Sequence, residues 1–306
     1  MEVAKETLFI LYSIPIYTVL IGTELLLSKE KMERIQNAHV LIVGLGGIGS
    51  FAAEFIARAG VGTLTIIEAV KNHCPSARIY QASTSELYGG VGYNMPETGY
   101  TELSQMHPRS PYGVAKLYGL WITKNYREAY NMHISNGILF NHEGERRGET
   151  FVTRKITMAL SKIKKQIDDG LDFNTLKLGN LYSKRDWGYA KDYVEGMWKM
   201  LQMDKPDDYV LATGETHTIK EFVELACDEC GWSINWIGEG ENEKGVLDNG
   251  LTIVEIDKKY YRPSEVDVLL GDYTKAKDIL EWEPKVKFKE LVKIMMGNDI
   301  KNIYKQ

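Results

Sequence analysis

Tyr112 and Lys116 stand four residues apart, a spacing that places both on one face of a helix. An ammonium beside a phenol favours the phenolate. The pair therefore predicts a Tyr112 pKa lowered from its ordinary value of about 10, and an acid/base near neutral pH. Upstream, Ser83-Thr84-Ser85-Glu86 adds a hydroxyl and a carboxylate. Residues 77–82 read as a strand, which puts Thr84 and Glu86 at its carboxyl end. Ligands bind at that edge in open α/β sheets. Phenol, ammonium, hydroxyl and carboxylate converging there make a proton-handling site.

Positioning such a site requires a sheet, and the chain supplies its first unit at residues 40–67. Residues 40–43 predict a buried strand, followed by Gly44-Leu45-Gly46-Gly47-Ile48-Gly49, an Ala-rich helix over 51–59 and a second strand over 63–67. This is the setting of the dinucleotide fingerprint. Gly44 permits the tight turn, Gly46 admits a phosphate to the backbone, and Gly49 lets helix and strand pack. The helix N-terminus then faces the anion. Glu68 lies 19 residues after Gly49, close to where an acid accepts the ribose 2′-hydroxyl of NAD and repels a 2′-phosphate.

The stretches Tyr80-Gln-Ala-Ser-Thr-Ser-Glu-Leu-Tyr-Gly89 and Pro108-Arg-Ser-Pro-Tyr-Gly-Val-Ala-Lys-Leu-Tyr118 resemble the extended short-chain dehydrogenases, and within them the GDP-mannose 4,6-dehydratase family. Glu86, two places after Thr84, favours dehydratases over related epimerases. The resemblance covers about residues 62–306. It implies a carbon–oxygen lyase that forms a GDP-4-keto-6-deoxy-hexose from GDP-mannose by internal hydride transfer, with NADP as the family's cofactor. Thr84, Glu86, Tyr112 and Lys116 would be catalytic. Tyr112, Lys116, His142 and Arg147 would contact the cofactor together with Gly44, Gly46, Gly49 and Glu68; Glu68 points to NAD instead of NADP. Asn141, Val152, Lys155, Arg185, Arg262 and Glu265 would contact the GDP-sugar. Tyr182 stands where the family usually has Asp.

Residues 23–62 resemble a different family, the ThiF- and MoeB-type adenylating enzymes of the tRNA threonylcarbamoyladenosine dehydratase branch, without the Arg-rich continuation of that domain. The chain thus reads as a hybrid: an apolar leader (1–22), a Gly-rich first βαβ (23–68) and a truncated dehydratase (69–306). Its substrate lobe would come mainly from 142–175 and 213–306. Residues 65–70 are strand in one parent and helix in the other. The implied fold is α/β, an incomplete Rossmann-type parallel sheet with a smaller C-terminal substrate lobe. The alternatives are a sugar-nucleotide epimerase or reductase, a catalytically inactive GDP-sugar-binding fusion, and an ATP-dependent adenylating enzyme.

The 306 residues suffice for one large α/β unit or two lobes, and a net charge of −5 gives no basic field for nucleic acid. Three cysteines, Cys74, Cys227 and Cys230, form no disulfide framework and point to a reducing, cytoplasmic setting. Cys227 and Cys230 have metal spacing but sit in a helical run with no second pair, so a structural role and no bound metal are expected. The apolar run at 8–22 is interrupted by Pro15 and is short for a membrane span. It predicts no membrane partner. The resemblance implies a homo-oligomer.

Overall fold

Short apolar runs alternate with helical ones along the first half of the chain, and the computed structural model pairs them as a parallel sheet. It describes residues 40–43, 52–90, 97–260 and 269–305. Strand β1 (Val40–Val43) leads to helix α1 (Ala52–His73), β2 (Arg78–Ala82), α2 (Pro111–Tyr130) and β3 (Ile134–Leu139). Then come β4 (Asn141–Glu143), α3 (Val152–Asp168), β5 (Leu176–Leu178), β6 (Lys184–Arg185) and β7 (Trp187–Tyr189). Next are α4 (Ala190–Gln202), β8 (Asp208–Leu211), β9 (His217–Thr218) and α5 (Ile219–Glu229). The chain continues through β10 (Ile234–Ile237), β11 (Lys244–Leu247), β12 (Thr252–Ile256), α6 (Thr274–Leu280) and α7 (Phe288–Ile303).

The main sheet has the order β1-β2-β3-β8, and all its pairings are parallel. Every residue of β3 is buried, as expected of a strand covered on both faces. Ile138 packs with Leu120 of α2 on one face, and Leu139 packs with Tyr193 of α4 on the other. This is the expected Rossmann-type α/β sheet, and β1 of the Gly-rich unit lies beside β2, with Val40 opposite Arg78.

Helix α2 is fixed at both ends. Ser110 caps it by accepting from Gly113 N at 3.0 Å, Pro111 opens it, and Asn131 ends it in the left-handed conformation with φ 52°. A buried network ties it to the sheet. Thr123 donates to Asn136 of β3 at 2.8 Å, Asn136 donates to Asp208 of β8 at 2.7 Å, and Arg127 pairs with Asp208 at 2.9 Å.

The second strand expected over residues 63–67 is helix instead. Helix α1 runs unbroken through that segment. Thr63, Ile67 and Val70 are buried at steps of four and three residues, the helical repeat. Ile67 and Val70 pack against Tyr126 of α2 and Ile79 of β2. Tertiary packing thus overrides the β preference of Thr-Leu-Thr-Ile-Ile. Glu68 consequently loses the place beside a ribose that a strand end would give it. It pairs with Lys71 at 2.8 Å and accepts from the Tyr126 hydroxyl, bridging α1 and α2.

A second core is built from α3, α5 and α7 against a sheet of order β10-β11-β12-β5. Cys227 and Cys230 are free thiols buried in it, and burial pushes the Cys230 thiol up to about 12. Residues of α6 return to pack under α4 and β8. Among the described residues, no helix is long and apolar enough to cross a membrane.

Candidate active site

The carboxyl edge of the main sheet carries the predicted chemistry. After β2, Thr84 is extended (φ −154°, ψ 149°) and caps a short 3-10 turn at Ser85–Leu87, its hydroxyl accepting from Glu86 N at 3.3 Å. The turn delivers Glu86 to the start of α2, where its carboxylate accepts from Ser110 Oγ at 2.7 Å. Ser110 therefore both caps the helix that bears Tyr112 and orients Glu86. Gly113 makes the approach possible, since a Cβ there would lie 3.1 Å from the Glu86 carbonyl and 3.0 Å from Pro108. Gly89 ends the segment at φ +72°, where a Cβ would meet the His107 carbonyl at 1.9 Å.

Tyr112 and Lys116 share one face of α2, as their spacing requires. Lys116 is 6% exposed; its Nζ donates to the Ala82 carbonyl at 3.0 Å and lies 5.7 Å from the Tyr112 ring centroid. Burial lowers its pKa to about 8. The expected lowering of the Tyr112 pKa is not found. Burial and the neighbouring Glu86 carboxylate raise it, against the pull of the Thr84 hydroxyl and the Arg147 charge. Desolvation of the phenolate is the largest of these influences.

After β3, β4 pairs in parallel with β7, setting Asn141 opposite Trp187 and His142 opposite Gly188. His142 Nδ1 donates to the Phe140 carbonyl at 3.0 Å, which leaves Nε2 as the acceptor of the neutral ring. The ring stacks on Tyr193 at 5.2 Å between centroids. Burial and the Arg147 charge lower its pKa, so the neutral form is favoured. Arg147 lies over the Phe151 ring at 3.6 Å and pairs with Glu143 at 3.0 Å. Its charge acts on both Tyr112 and His142, which brings the loop after β4 and the start of α2 to one site.

The residues expected to hold a nucleotide fall into two groups. Val152 opens α3. Lys155, one turn on, donates to the Lys177 carbonyl at 2.6 Å and sits 3.4 Å from the Tyr260 ring centroid. Gly179 completes this group, because a Cβ there would meet the Tyr260 carbonyl at 2.4 Å. Arg185 lies in β6, opposite His217. Its neighbour Asp186, fully buried, accepts from Thr213 N at 2.9 Å, Thr213 Oγ1 at 2.7 Å and Gly214 N at 3.2 Å, just beyond the end of β8. Tyr182 donates to Glu243 at 2.9 Å. Gly44, Gly46, Gly49, Arg262 and Glu265 lie outside the described residues.

Sequence reasoning missed three supporting groups. Ser110 was legible as a helix cap before Pro111, though not as the partner of Glu86. Asp186 and Glu143 left no local signal, because their partners are distant in sequence or reached only through the fold. Burial raises each to about 7.

The GDP-mannose 4,6 dehydratase family profile matches residues 50–295. The chain belongs to the GDP-mannose 4,6-dehydratase family. It is similar to the GDP-mannose 4,6 dehydratase of Drosophila melanogaster, 55% identical over 245 residues, covering 78% of this chain and 59% of the relative. Against the Homo sapiens protein of that name it is 52% identical over 253 residues, covering 81% of this chain and 65% of the relative. The chain thus spans 59% to 69% of the length of such relatives. A ThiF family profile matches residues 20–69, overlapping the first match within α1. RMD from Pseudomonas aeruginosa, solved with NADPH, superposes with a TM-score of 0.70 at 20% identity, covering 86% of this chain and 82% of that one. A dTDP-glucose 4,6-dehydratase from Bacillus anthracis, solved with NAD, gives 0.68 at 20% identity, covering 90% and 76%. At these identities the likeness is one of fold.

Proposed function

We propose that this protein is a GDP-mannose 4,6-dehydratase, a lyase that converts GDP-mannose to the 4-keto-6-deoxy sugar with NADP as resident cofactor. The observation that carries the reading is the convergence of Thr84, Glu86, Tyr112 and Lys116 at the carboxyl edge of a parallel sheet. Family membership supports it, as do the NADPH and NAD with which fold neighbours were solved. Tyr112, Lys116, His142 and Arg147 fit the reactive end of a dinucleotide. Lys116 has the Ala82 carbonyl as a partner, and an ammonium has three protons to give. With Glu68 turned to Lys71 and Tyr126, that residue gives no support to a preference for NAD.

A bound nicotinamide supplies the acceptor and donor of the transferred hydride. The protein's own groups move the protons. Tyr112 takes the proton of the C4 hydroxyl, steadied by the Lys116 charge, while the Thr84 hydroxyl donates to the developing oxyanion. The ketone at C4 acidifies the C5 proton. Glu86 removes it and passes it to the C6 hydroxyl, which leaves as water. Return of the hydride to C6 with a solvent-derived proton to C5 completes the deoxy sugar. Ser110 keeps the Glu86 carboxylate aimed across the site. Val152, Lys155, Arg185, Arg262 and Glu265 hold the GDP moiety, and Asn141 the sugar. The substrate lobe is the second core, formed mainly by 142–175 and 213–306.

The segment carrying β1 and the start of α1 descends from an adenylating enzyme and stands in for the missing cofactor-binding units. The ThiF profile match at 20–69 and the pairing of β1 on β2 support this reading. Free thiols suit the cytoplasm. An exposed stripe on α2, Val114, Tyr118 and Trp121 (53%, 44% and 57% exposed), supports a homo-oligomer.

Product analysis after incubation with GDP-mannose and NADP tests the function. A product lighter by one water supports the dehydratase, whereas an isomer of unchanged mass indicates an epimerase. GDP affinity tests the nucleotide site. Lys155→Ala and Arg185→Ala should each weaken it by about 1.5–3 kcal/mol, the worth of a charge-assisted contact. Affinities within about twofold of the unmutated chain, under 0.5 kcal/mol, would move the site elsewhere.

The pH profile tests Lys116. Its folded pKa of about 8 lies below the ordinary 10.5, so its charge is present below about 8 and lost as the pH rises through that value. The alkaline limb of kcat/KM should therefore fall with a midpoint near 8. A profile flat up to the ordinary lysine range of about 10 would remove Lys116 from the role.

A further inference from the structure

Between the catalytic group and the nucleotide-holding helix lies a buried carboxylate that the chemistry above does not use. Glu143 ends β4 and is 1% exposed. It accepts from Thr153 Oγ1 at 2.5 Å and pairs with Arg147 Nε at 3.0 Å. Thr153 lies in the first turn of α3, between Val152 and Lys155. Arg147 is in the turn that joins β4 to α3, packed over Phe151, the residue before that helix. One side chain thus reaches the guanidinium whose charge acts on Tyr112 and His142, and also the helix end expected to face the nucleotide.

Keeping an ionisable carboxyl there is costly. Burial opposes its charge, and Arg147 and Thr153 offset only part of that, leaving its pKa near 7. An apolar residue would fill the space without this penalty. What the carboxylate adds is geometry: a hydrogen bond from Thr153 in the helix and an ion pair with Arg147 in the turn tie both to the end of β4.

We propose that Glu143 is a positioning residue that holds Arg147 and the first turn of α3 in one arrangement, so that the cofactor-facing and nucleotide-facing contacts form together. This rests on the dehydratase reading, because Arg147, Val152 and Lys155 have their roles there. Glu143 touches neither reacting atoms nor ligand. Its removal should loosen ligand binding without disabling proton transfer at Tyr112 and Glu86.

The test is calorimetric titration of the full chain with GDP and, separately, with NADPH, together with steady-state kinetics. Glu143→Gln keeps the shape and loses the charge. It should weaken both affinities roughly tenfold and raise KM, with kcat at saturation changed less than about threefold. Thr153→Val should weaken GDP binding similarly, and Thr153→Ser, which keeps the donor, should restore it. Combining Glu143→Gln with Thr153→Val should cost little more than either alone, as for groups acting through one contact. If Glu143→Gln does not fold, the Thr153→Val and Thr153→Ser pair carries the test. GDP binding by the unmutated chain with no effect of these variants, or with additive effects, overturns the role of Glu143 alone. Failure of the unmutated chain to bind GDP overturns the dehydratase reading and this proposal with it.

Discussion

Tyr112→Phe should lower kcat by about 10²–10⁴-fold, the range for removing a positioned acid/base, while GDP affinity stays within about twofold. The phenol ring packs at the start of α2, and Phe preserves that packing. Only the proton relay to the C4 hydroxyl is lost, and the transition state alone requires it. The raised Tyr112 pKa opposes this role: the phenolate that takes the C4 hydroxyl proton has to form against burial and the Glu86 carboxylate, with the Lys116 charge and the Thr84 hydroxyl beside it. Rapid-mixing measurement of product formation, with GDP titration alongside, checks this. A variant that keeps more than a tenth of the unmutated rate would show that Tyr112 is not the base.

Glu86→Gln should have a comparable effect at a later step. Glutamine retains the hydrogen bond from Ser110 and nearly the same volume, but it cannot accept the C5 proton. Solvent deuterium should enter C5 when the unmutated protein turns over and should not enter with the variant, and no deoxy sugar should form. Nuclear magnetic resonance of the sugar resolves both readouts. Exchange at C5 in the variant would assign that proton to another group. Ser110→Ala offers a milder counterpart, since it removes both the orientation of Glu86 and the cap of α2.

Much of this site could be read from residue order, because its signals are local. The predicted strand over 77–82 is β2 (Arg78–Ala82). The Thr-to-Glu and Tyr-to-Lys spacings act within a few residues of one another. Failures occurred where distant groups decide. Residues 63–67 have a strand-like composition and follow Gly60 and Gly62, which normally interrupt a helix, yet Tyr126 and Ile79 bury their helical face. The Tyr112 pKa depends on burial and on a carboxylate 26 positions upstream in sequence, so Lys116 alone predicted the wrong direction. Glu143 and Asp186 were invisible for the same reason, since their partners Arg147, Thr153 and Thr213 become partners only once β4, α3 and β8 are assembled.

The ThiF-like beginning of the chain bears on whether this geometry turns over. Strand β1 extends the sheet beside β2, so the carboxyl edge that displays Thr84 and Glu86 continues to the end of β1 at Val43. The isotope course of the reaction tests the account most directly. GDP-mannose carrying deuterium at C4 should be converted, with catalytic NADP, to a 4-keto-6-deoxy sugar that retains the deuterium at C6. That is the result expected of one site that removes and returns the same hydride. Product without deuterium at C6, or unreacted GDP-mannose in the presence of bound NADP, would contradict it.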